Sequence, residues 1–532
     1  MNLLVPALLL ALPTAPAQGG APSAAAAALR RAERAPIELR GAWLGDAQVL
    51  SSRARIAEAM DLLAASGFNA VFPVVWRDGL TLWPSETLRA ACGLAIDPAY
   101  AGRDVLAECV LEAHRAGLEV LPWFEGGFSA GARGRASALL EAQPDWAALD
   151  ASGAPLAKAG QQWLDALDTR VQDFMSGLVL EVCRNYDIDG IQADERLPAL
   201  PSEAACKPQL AARYRAEFQS EPPRDSSEPA WLRWRAGLLS EFLDRLRGEM
   251  RAVDASLVLA VAPGLQEWSL REYLQDPQRW AAQKSADWIT PQTYRRDLAA
   301  YEPIIAKLNG GQFTPAQLQR FSPGLLVKVG PRSIQARFLL DAIAFQRAQG
   351  LPGEVFFLHE ALVANEGELA RLLRKGPYAS AAMPPWRARH PWRPRAMVFP
   401  ALIEESEGDW EALDESADVF RLQGGRQGAF SYLIQQPHDA VYDLHAWVPG
   451  NPDRTGRATY LLQGARERAW VEIDPSRARE AGWMRLGTLS LAGEQIIEPL
   501  KLVATELDGA RATYAGPLLL LLNRRLSPGL DW

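Results

Sequence analysis

The chain holds 532 residues, too many for one ordinary domain, and its 48% hydrophobic content is enough for large cores. A formal net charge of -8 argues against a nucleic-acid partner. The five histidines are scattered without a paired zinc-binding helix motif, and there is neither a serine-nucleophile elbow nor a glycine-rich phosphate loop, so no metal and no cofactor are expected.

Residues 1–17 read as a secretory signal peptide. An apolar run from Leu3 to Leu12, too short to span a bilayer, precedes the small residues Ala15, Pro16 and Ala17. An exported chain, periplasmic or extracellular and without an integral membrane span, is the expectation. Residues 18–36 are Ala-rich and read as a tether. The four cysteines, Cys92, Cys109, Cys183 and Cys206, lack zinc-site spacing. Export permits disulfides without fixing their pairing, and buried free thiols are the alternative.

From Glu38 onward, strand-like and helix-like runs alternate. Glu38 to Leu44 is strand-like, and Arg53 to Ala65 places Ile56, Met60 and Leu63 at helical spacing. Ala70 to Trp76 is a second strand, Asp104 to Ala116 an amphipathic helix stopped by Gly117, and Leu118 to Phe124 a third strand. A long polar loop runs to about Gln161, and Val171 to Asn185 is again helical. The short apolar run Ile188 to Ala193 then ends in two adjacent carboxylates, Asp194 and Glu195. Because side chains alternate along a strand, Gly190, Gln192 and Asp194 share one face and Ile191 and Ala193 the other. After an insertion through Glu228 come the helix Trp231 to Val253 and strands at Ser256 to Ala262, Trp288 to Tyr294 and Gly324 to Val329. The helix Ser333 to Gln349 leads into a last strand, Glu354 to Leu358.

Eight strands alternating with helices predict an α/β chain whose residues 37–376 close into a (β/α)8 TIM barrel. The rival open doubly wound sheet would carry a glycine fingerprint after strand one, where this chain has Trp43, Leu44, Gly45 and Asp46. Residues 377–400 are rich in Pro and Arg and read as an extended linker. Over 401–532, short alternating segments separated by turn signals predict a smaller all-β sandwich domain.

In such a barrel the chemistry sits at the carboxyl ends of the strands. Carboxylates stand there at Asp46, Glu125, Asp194, Glu195, Glu267 and Glu360. Hydrolysis of a glycosidic bond needs two carboxyl groups, one to protonate the leaving oxygen and one to attack or to activate water. Asp194, Glu195, Glu125 and Glu360 are the catalytic candidates. Each, taken singly, can also be a solvated loop carboxylate, and that reading is preferred for Asp46 and Glu267. Trp43, Trp76, Trp123 and Tyr294 end the same strands and offer flat faces to sugar rings, barrel-top packing being the alternative. Gln192 and Gln292 bring polar groups to the same mouth. His359, beside Glu360, is a candidate contact or a structural histidine.

The runs ELRGAWL, LAASGFNAVFPVVWRDGLTLWPS, AGLEVLPWFEGGF, WLDALDTRVQDFM, YDIDGIQADERLPALPSE and ADWITPQTYRRDL resemble the family ten glycosyl-hydrolase-like proteins, from about Ile37 to Leu362. That resemblance implies an exported bacterial TIM-barrel glycosidase, and one member of the family acts at the divisome on peptide-free peptidoglycan strands. Where relatives carry two Asp at strand four, this chain has Asp194 and Glu195. Where strand eight in relatives often ends in Tyr-Glu-Ser, it has His359, Glu360 and Ala361. The C-terminal runs YDLHAWVPGNPDRTGRATYLL, RAWVEIDPS and GWMRLGTLSL are similar to the golvesin and xanthan-lyase type of β-sandwich, which implies carbohydrate or surface binding, or a stabilising role. The expected partner is a bacterial glycan, peptidoglycan ahead of an exopolysaccharide, with Asp194 as nucleophile or base. A non-catalytic glycan-binding protein on the same barrel is the competing expectation.

Overall fold

The computed structural model describes residues 35–527 apart from 133, 330–331, 388–394, 414–417, 437–438, 466, 478–479, 494–495 and 505–510. The expected signal peptide and nearly all of the Ala-rich tether lie outside the described residues. Residues Ile37–Trp532 form one unit.

The barrel grows from short, fully buried parallel strands, as parallel sheets covered by helices require. Strand β1 (Leu39–Leu44) is buried along its whole length, and Ser52 caps helix α1 (Arg53–Ala65) by accepting from the Arg55 amide. Next come β2 (Ala70–Pro73), α2 (Val105–Ala116) with Gly117 in the left-handed region at its end, and β3, which forms at Glu119–Val120 and resumes at Trp123–Phe124. Helix α3 (Thr169–Asn185) precedes β4 (Gly190–Ala193). The insertion after β4 contains α4 (Pro208–Phe218), which the sequence does not announce, and is followed by α5 (Pro229–Val253) and β5 (Val258–Val261). Then follow α6 (Gln266–Tyr273), β6 (Trp288–Ile289), β7 (Gly324–Leu326), α7 (Ala336–Ala348) and β8 (Gly353–Phe357).

Parallel ladders join β7, β8, β1, β2 and β3 on one side and β3, β4, β5 and β6 on the other. The ring closes through the parallel bridges Ile289–Phe321 and Gln292–Gly324. This is the expected (β/α)8 barrel. One local departure bears on the site: beyond β2 the chain leaves the barrel as a small antiparallel hairpin, Trp76 and Arg77 pairing with Thr81 and Leu80.

The C-terminal domain is the expected all-β sandwich. One antiparallel sheet orders β9 (Met397–Phe399), β16 (Leu518–Leu522), β11 (Ala440–Val448) and β14 (Gly482–Leu491). The facing sheet orders β10 (Gly428–Gln435), β15 (Ile496–Ala504), β12 (Ala458–Gln463) and β13 (Arg468–Ile473), with Ser406–Glu407 at its edge. Phe430, Leu444, Tyr460, Leu502 and Leu520 fill the space between them.

The described part of 377–400 is docked on both domains rather than extended through solvent. Arg40 donates to the Ser380 and Pro377 carbonyls, Arg387 pairs with Glu119 at 2.8 Å and Asp189 at 3.1 Å, and Met397–Phe399 is a strand of the sandwich. All four cysteines are free, Cys109 and Cys183 in the interior. No helix among the described residues is long and apolar enough to cross a membrane.

Candidate active site

Strand β4 can approach β5 closely only because of Gly190: a Cβ there would stand 2.2 Å from the Val258 carbonyl oxygen. The register pairs Gln192 with Trp123 on one side and with Ala260 on the other, so Gln192 and, two residues on, Asp194 face the inside of the ring. Gln192 is wholly buried, and Asp194 is only 5% exposed. From β6, the Gln292 side-chain amide donates to Asp194 Oδ1 at 3.3 Å and to the Ala262 carbonyl at 3.4 Å, tying the ends of β4, β5 and β6 together.

Glu195, Arg196 and Glu125 all act on Asp194. Glu195 opens the following loop and accepts from Arg196 Nη2 at 3.2 Å, while Arg196 Nη1 donates to the Glu125 carbonyl at 2.9 Å. The Glu125 carboxylate is ion-paired with Arg77, whose Nη2 also holds the Gly45 carbonyl at 3.1 Å. Burial, and after it the neighbouring Glu195 charge, push the Asp194 carboxyl well above the usual carboxylate range; Glu125 adds to the rise and Arg196 opposes it.

Beneath the acids lies an aromatic floor. Phe357 from β8 sits 5.9 Å from Trp43, 6.3 Å from Trp123 and 5.1 Å from Tyr294, ring centroid to centroid. Burial and the charges of Asp194 and Glu195 raise the Tyr294 phenol well above its ordinary value, so it remains a hydrogen-bond donor. Trp43 and Trp123 are 1% and 2% exposed, which makes them floor rather than open platforms. Their indole N–H groups, and Gln192 Oε1, have no hydrogen-bond partner among the described residues.

The structure thus brings together Asp194, Glu195, Glu125, Gln192, Gln292, Tyr294, Trp43 and Trp123. Trp76 is a correction to the expected set. It belongs to the hairpin, its ring packs on Phe174 of α3 at 6.0 Å, and its indole N–H donates to the Gly127 carbonyl, so no face is left for a sugar. Glu360 and His359 occupy the turn after β8, with His359 Nδ1 at 3.4 Å from Glu360 Oε2. Partial burial alone would raise the Glu360 carboxyl, but His359, helped by Lys328, outweighs it and holds the group below its ordinary value. Asp46 is half-buried and accepts from the Gln48 amide at 2.8 Å, and Glu267 is a surface partner of Lys307. Arg77, Arg196 and Phe357 are the residues that strand-end reasoning passed over. Phe357 had a signal, its parity within β8; Arg77 in the hairpin and Arg196 in the loop after β4 had none.

Residues 38–317 match the family described as Glycosyl hydrolase-like 10. Among curated proteins, "Glycosyl hydrolase DigH" of Escherichia coli (strain K12) is 24% identical over 360 residues, spanning 57% of this chain and 76% of that relative. Among solved structures, the glycoside hydrolase domain of PgaB (BpsB) from Bordetella bronchiseptica aligns with 64% of this chain and 98% of its own, at 16% identity and a TM-score of 0.49. The catalytic domain of beta-amylase from Paenibacillus polymyxa aligns with 65% of this chain and 100% of its own, at 13% identity and a TM-score of 0.48. With more than half of its length matched, the chain belongs to the Glycosyl hydrolase-like 10 family.

Proposed function

We propose that the protein is an exported glycoside hydrolase that cleaves glycosidic bonds of a bacterial glycan through two carboxyl groups, peptidoglycan being favoured over an exopolysaccharide. Membership of a glycosyl-hydrolase-like family and the likeness to a relative named as a glycosyl hydrolase support the substrate class. The observation that carries the chemistry is the enclosure of Asp194 at the lumen-facing end of β4, beside Glu195 and Glu125.

That enclosure favours a role for Asp194 other than the nucleophile or base expected from the sequence. A nucleophile or base must be ionised, whereas burial and adjacent carboxylates favour a proton on Asp194. Asp194 therefore serves as the general acid that protonates the leaving oxygen, as enclosed carboxyl groups do in other glycosidases. The ionised partner, which attacks the sugar carbon or activates water, is Glu125 beside Arg77 or Glu195 beside Arg196. Tyr294 supplies a donor to the sugar hydroxyls.

A substrate with a good leaving group separates the two roles, because such a bond breaks without a proton donor. Asp194→Asn should lose about 100-fold or more on peptide-stripped peptidoglycan strands, in line with general-acid contributions, yet keep most activity on an aryl glycoside with an acidic phenol. Loss of the ionised partner, tested in Glu125→Gln and Glu195→Gln, should abolish both activities. Wild-type protein that releases no new reducing ends from any bacterial glycan, yet binds one, would instead be a non-catalytic glycan-binding member of the family.

A further inference from the structure

An aromatic row borders the mouth on the side of β5. The strand continues past Val261, with Ala262 donating to the Ala193 carbonyl and the Pro263 carbonyl accepting from the Gln292 amide. It ends at Gly264. A Cβ on Gly264 would stand 2.8 Å from both Cε3 and Cζ3 of Trp268, so the indole of α6 occupies the space that a side chain would otherwise fill. Behind Trp268, at 5.3 Å, is the ring of Tyr273, and behind that, at 5.6 Å, the buried Trp163. Lys158 lies over the Tyr273 ring at 4.8 Å, which leaves Trp268, 45% exposed, as the open end of the row.

This row shares one rigid frame with the acids. The loop that leaves β4 is pinned to α6 and the residues after it: the Leu200 amide donates to the Tyr273 carbonyl at 3.1 Å, and Gln275 Nε2 donates to the Pro198 carbonyl at 3.1 Å. The side-chain amide that holds Asp194 also holds Ala262, two residues before Gly264. The rings at the bottom of the mouth are 1–2% exposed at Trp43 and Trp123, so they cannot bear sugars far from the scissile bond. On a helix that otherwise shows Glu267 and Arg271 to solvent, the indole packs one side on Gly264 and Tyr273 and leaves the rest of its surface open.

We propose that Trp268, backed by Tyr273, is a sugar-stacking subsite that holds a pyranose ring of a long glycan outside the catalytic pocket. The indole offers a flat apolar face to the axial C–H groups of the ring, and its helix keeps it in a fixed place relative to Asp194. The ligand is a polysaccharide rather than a mono- or disaccharide. The proposal rests on the glycan-acting reading above, and binding rather than cleavage tests it, so that the two can fail separately.

The test uses the full chain carrying Asp194→Asn, so that no ligand is consumed. Its affinity for a β-1,4-linked N-acetylglucosamine disaccharide, for the hexasaccharide and for peptide-stripped peptidoglycan strands is measured by calorimetry, with and without Trp268→Ala. Affinity should rise with chain length in the parent, and Trp268→Ala should weaken the long ligands by about tenfold, the size of one lost ring stack, with little change for the disaccharide. Trp268→Tyr, which restores a flat ring, should recover most of the loss. Equal affinities for long chains with and without Trp268 overturn the subsite, whatever the wild-type protein cleaves. A Trp268-dependent affinity in a protein that cleaves nothing keeps the subsite and removes the hydrolase reading. Affinity lost in both the Ala and the Tyr variants, with unchanged circular dichroism, also overturns the stacking account.

Discussion

Asp194 is placed where a carboxylate is least comfortable. It is nearly excluded from water, with Glu195 as its chain neighbour, while the Gln292 amide, Arg196 and the Glu195 backbone N–H favour its charge. Its carboxyl is raised above the unfolded value of about 3.9. The folded chain therefore binds this proton more tightly than the unfolded chain does, and the linked stability has a definite sign. It is fully present below about pH 3.9 and is lost as pH rises toward and through the raised folded value. Asn cannot ionise and nearly matches the shape. Asp194→Asn should therefore melt at a higher temperature than the wild type at pH 8, with the gap closing as pH falls. Thermal melts of both proteins from pH 5 to 8 check this. A variant that melts lower throughout would mean that Arg196 stabilises an ionised Asp194, and would return the residue to the role of nucleophile or base.

The elements that carry this residue depend on close strand approach, and Gly190 is where that dependence is strongest. A methyl group there meets the Val258 backbone rather than a movable side chain. Gly190→Ala should cost about 3 kcal/mol or more, the upper range of overpacking penalties, and denaturant midpoints against the wild type would measure it. Activity should fall as well, because β4 and β5 jointly place Asp194 and the Ala262 carbonyl that Gln292 bridges. Strand parity made most of this site legible in the sequence. Gln192 and Asp194 face inward by alternation along one strand, and so does the Trp123 beside Gln192. Parity fails where the ladder does. Trp76 was assigned to the mouth by counting along β2, but the chain has already turned into a hairpin there and the indole points at α3. Glu360 lies in a turn of 3-10 helix, where alternation has no meaning. Arg77 reaches the Glu125 carboxylate and Arg196 the Glu125 carbonyl across loops, and Trp268 owes its place to the missing side chain of Gly264, a tertiary contact without a periodic signature. Secondary structure followed the same division: long periodic helices such as α1 and α5 stand out, while α4 has only the thin stripe Leu210, Tyr214 and Phe218 and buries no residue fully.

At the scale of the whole molecule, the two domains are bound at the barrel end opposite the acids. Glu119 begins β3 and Asp189 precedes β4, both nearly water-free. Arg524, just past β16 of the sandwich, pairs with Glu119 at 2.6 Å and with Asp189 at 3.4 Å, and Arg387 of the connecting segment joins both. Beside them Leu111 of α2 packs with Trp483, Leu519 and Leu521. A fragment from Arg395 to the C-terminus contains β9 and every other described strand of the four-stranded sheet, so it should fold alone, with a strand-type circular dichroism spectrum and a cooperative melt. The barrel alone would keep Glu119 and Asp189 while losing Arg524, and removing one partner of a buried ion pair costs on the order of 3 kcal/mol. A fragment of residues 35–387 should therefore melt well below the intact chain. Arg524→Ala in the full chain should lower stability in the same direction, and replacing the two acids with Glu119→Gln and Asp189→Asn should restore part of the loss in the barrel fragment. A barrel fragment as stable as the intact chain would show that the arginines only decorate the contact and that the sandwich is a freely removable appendage.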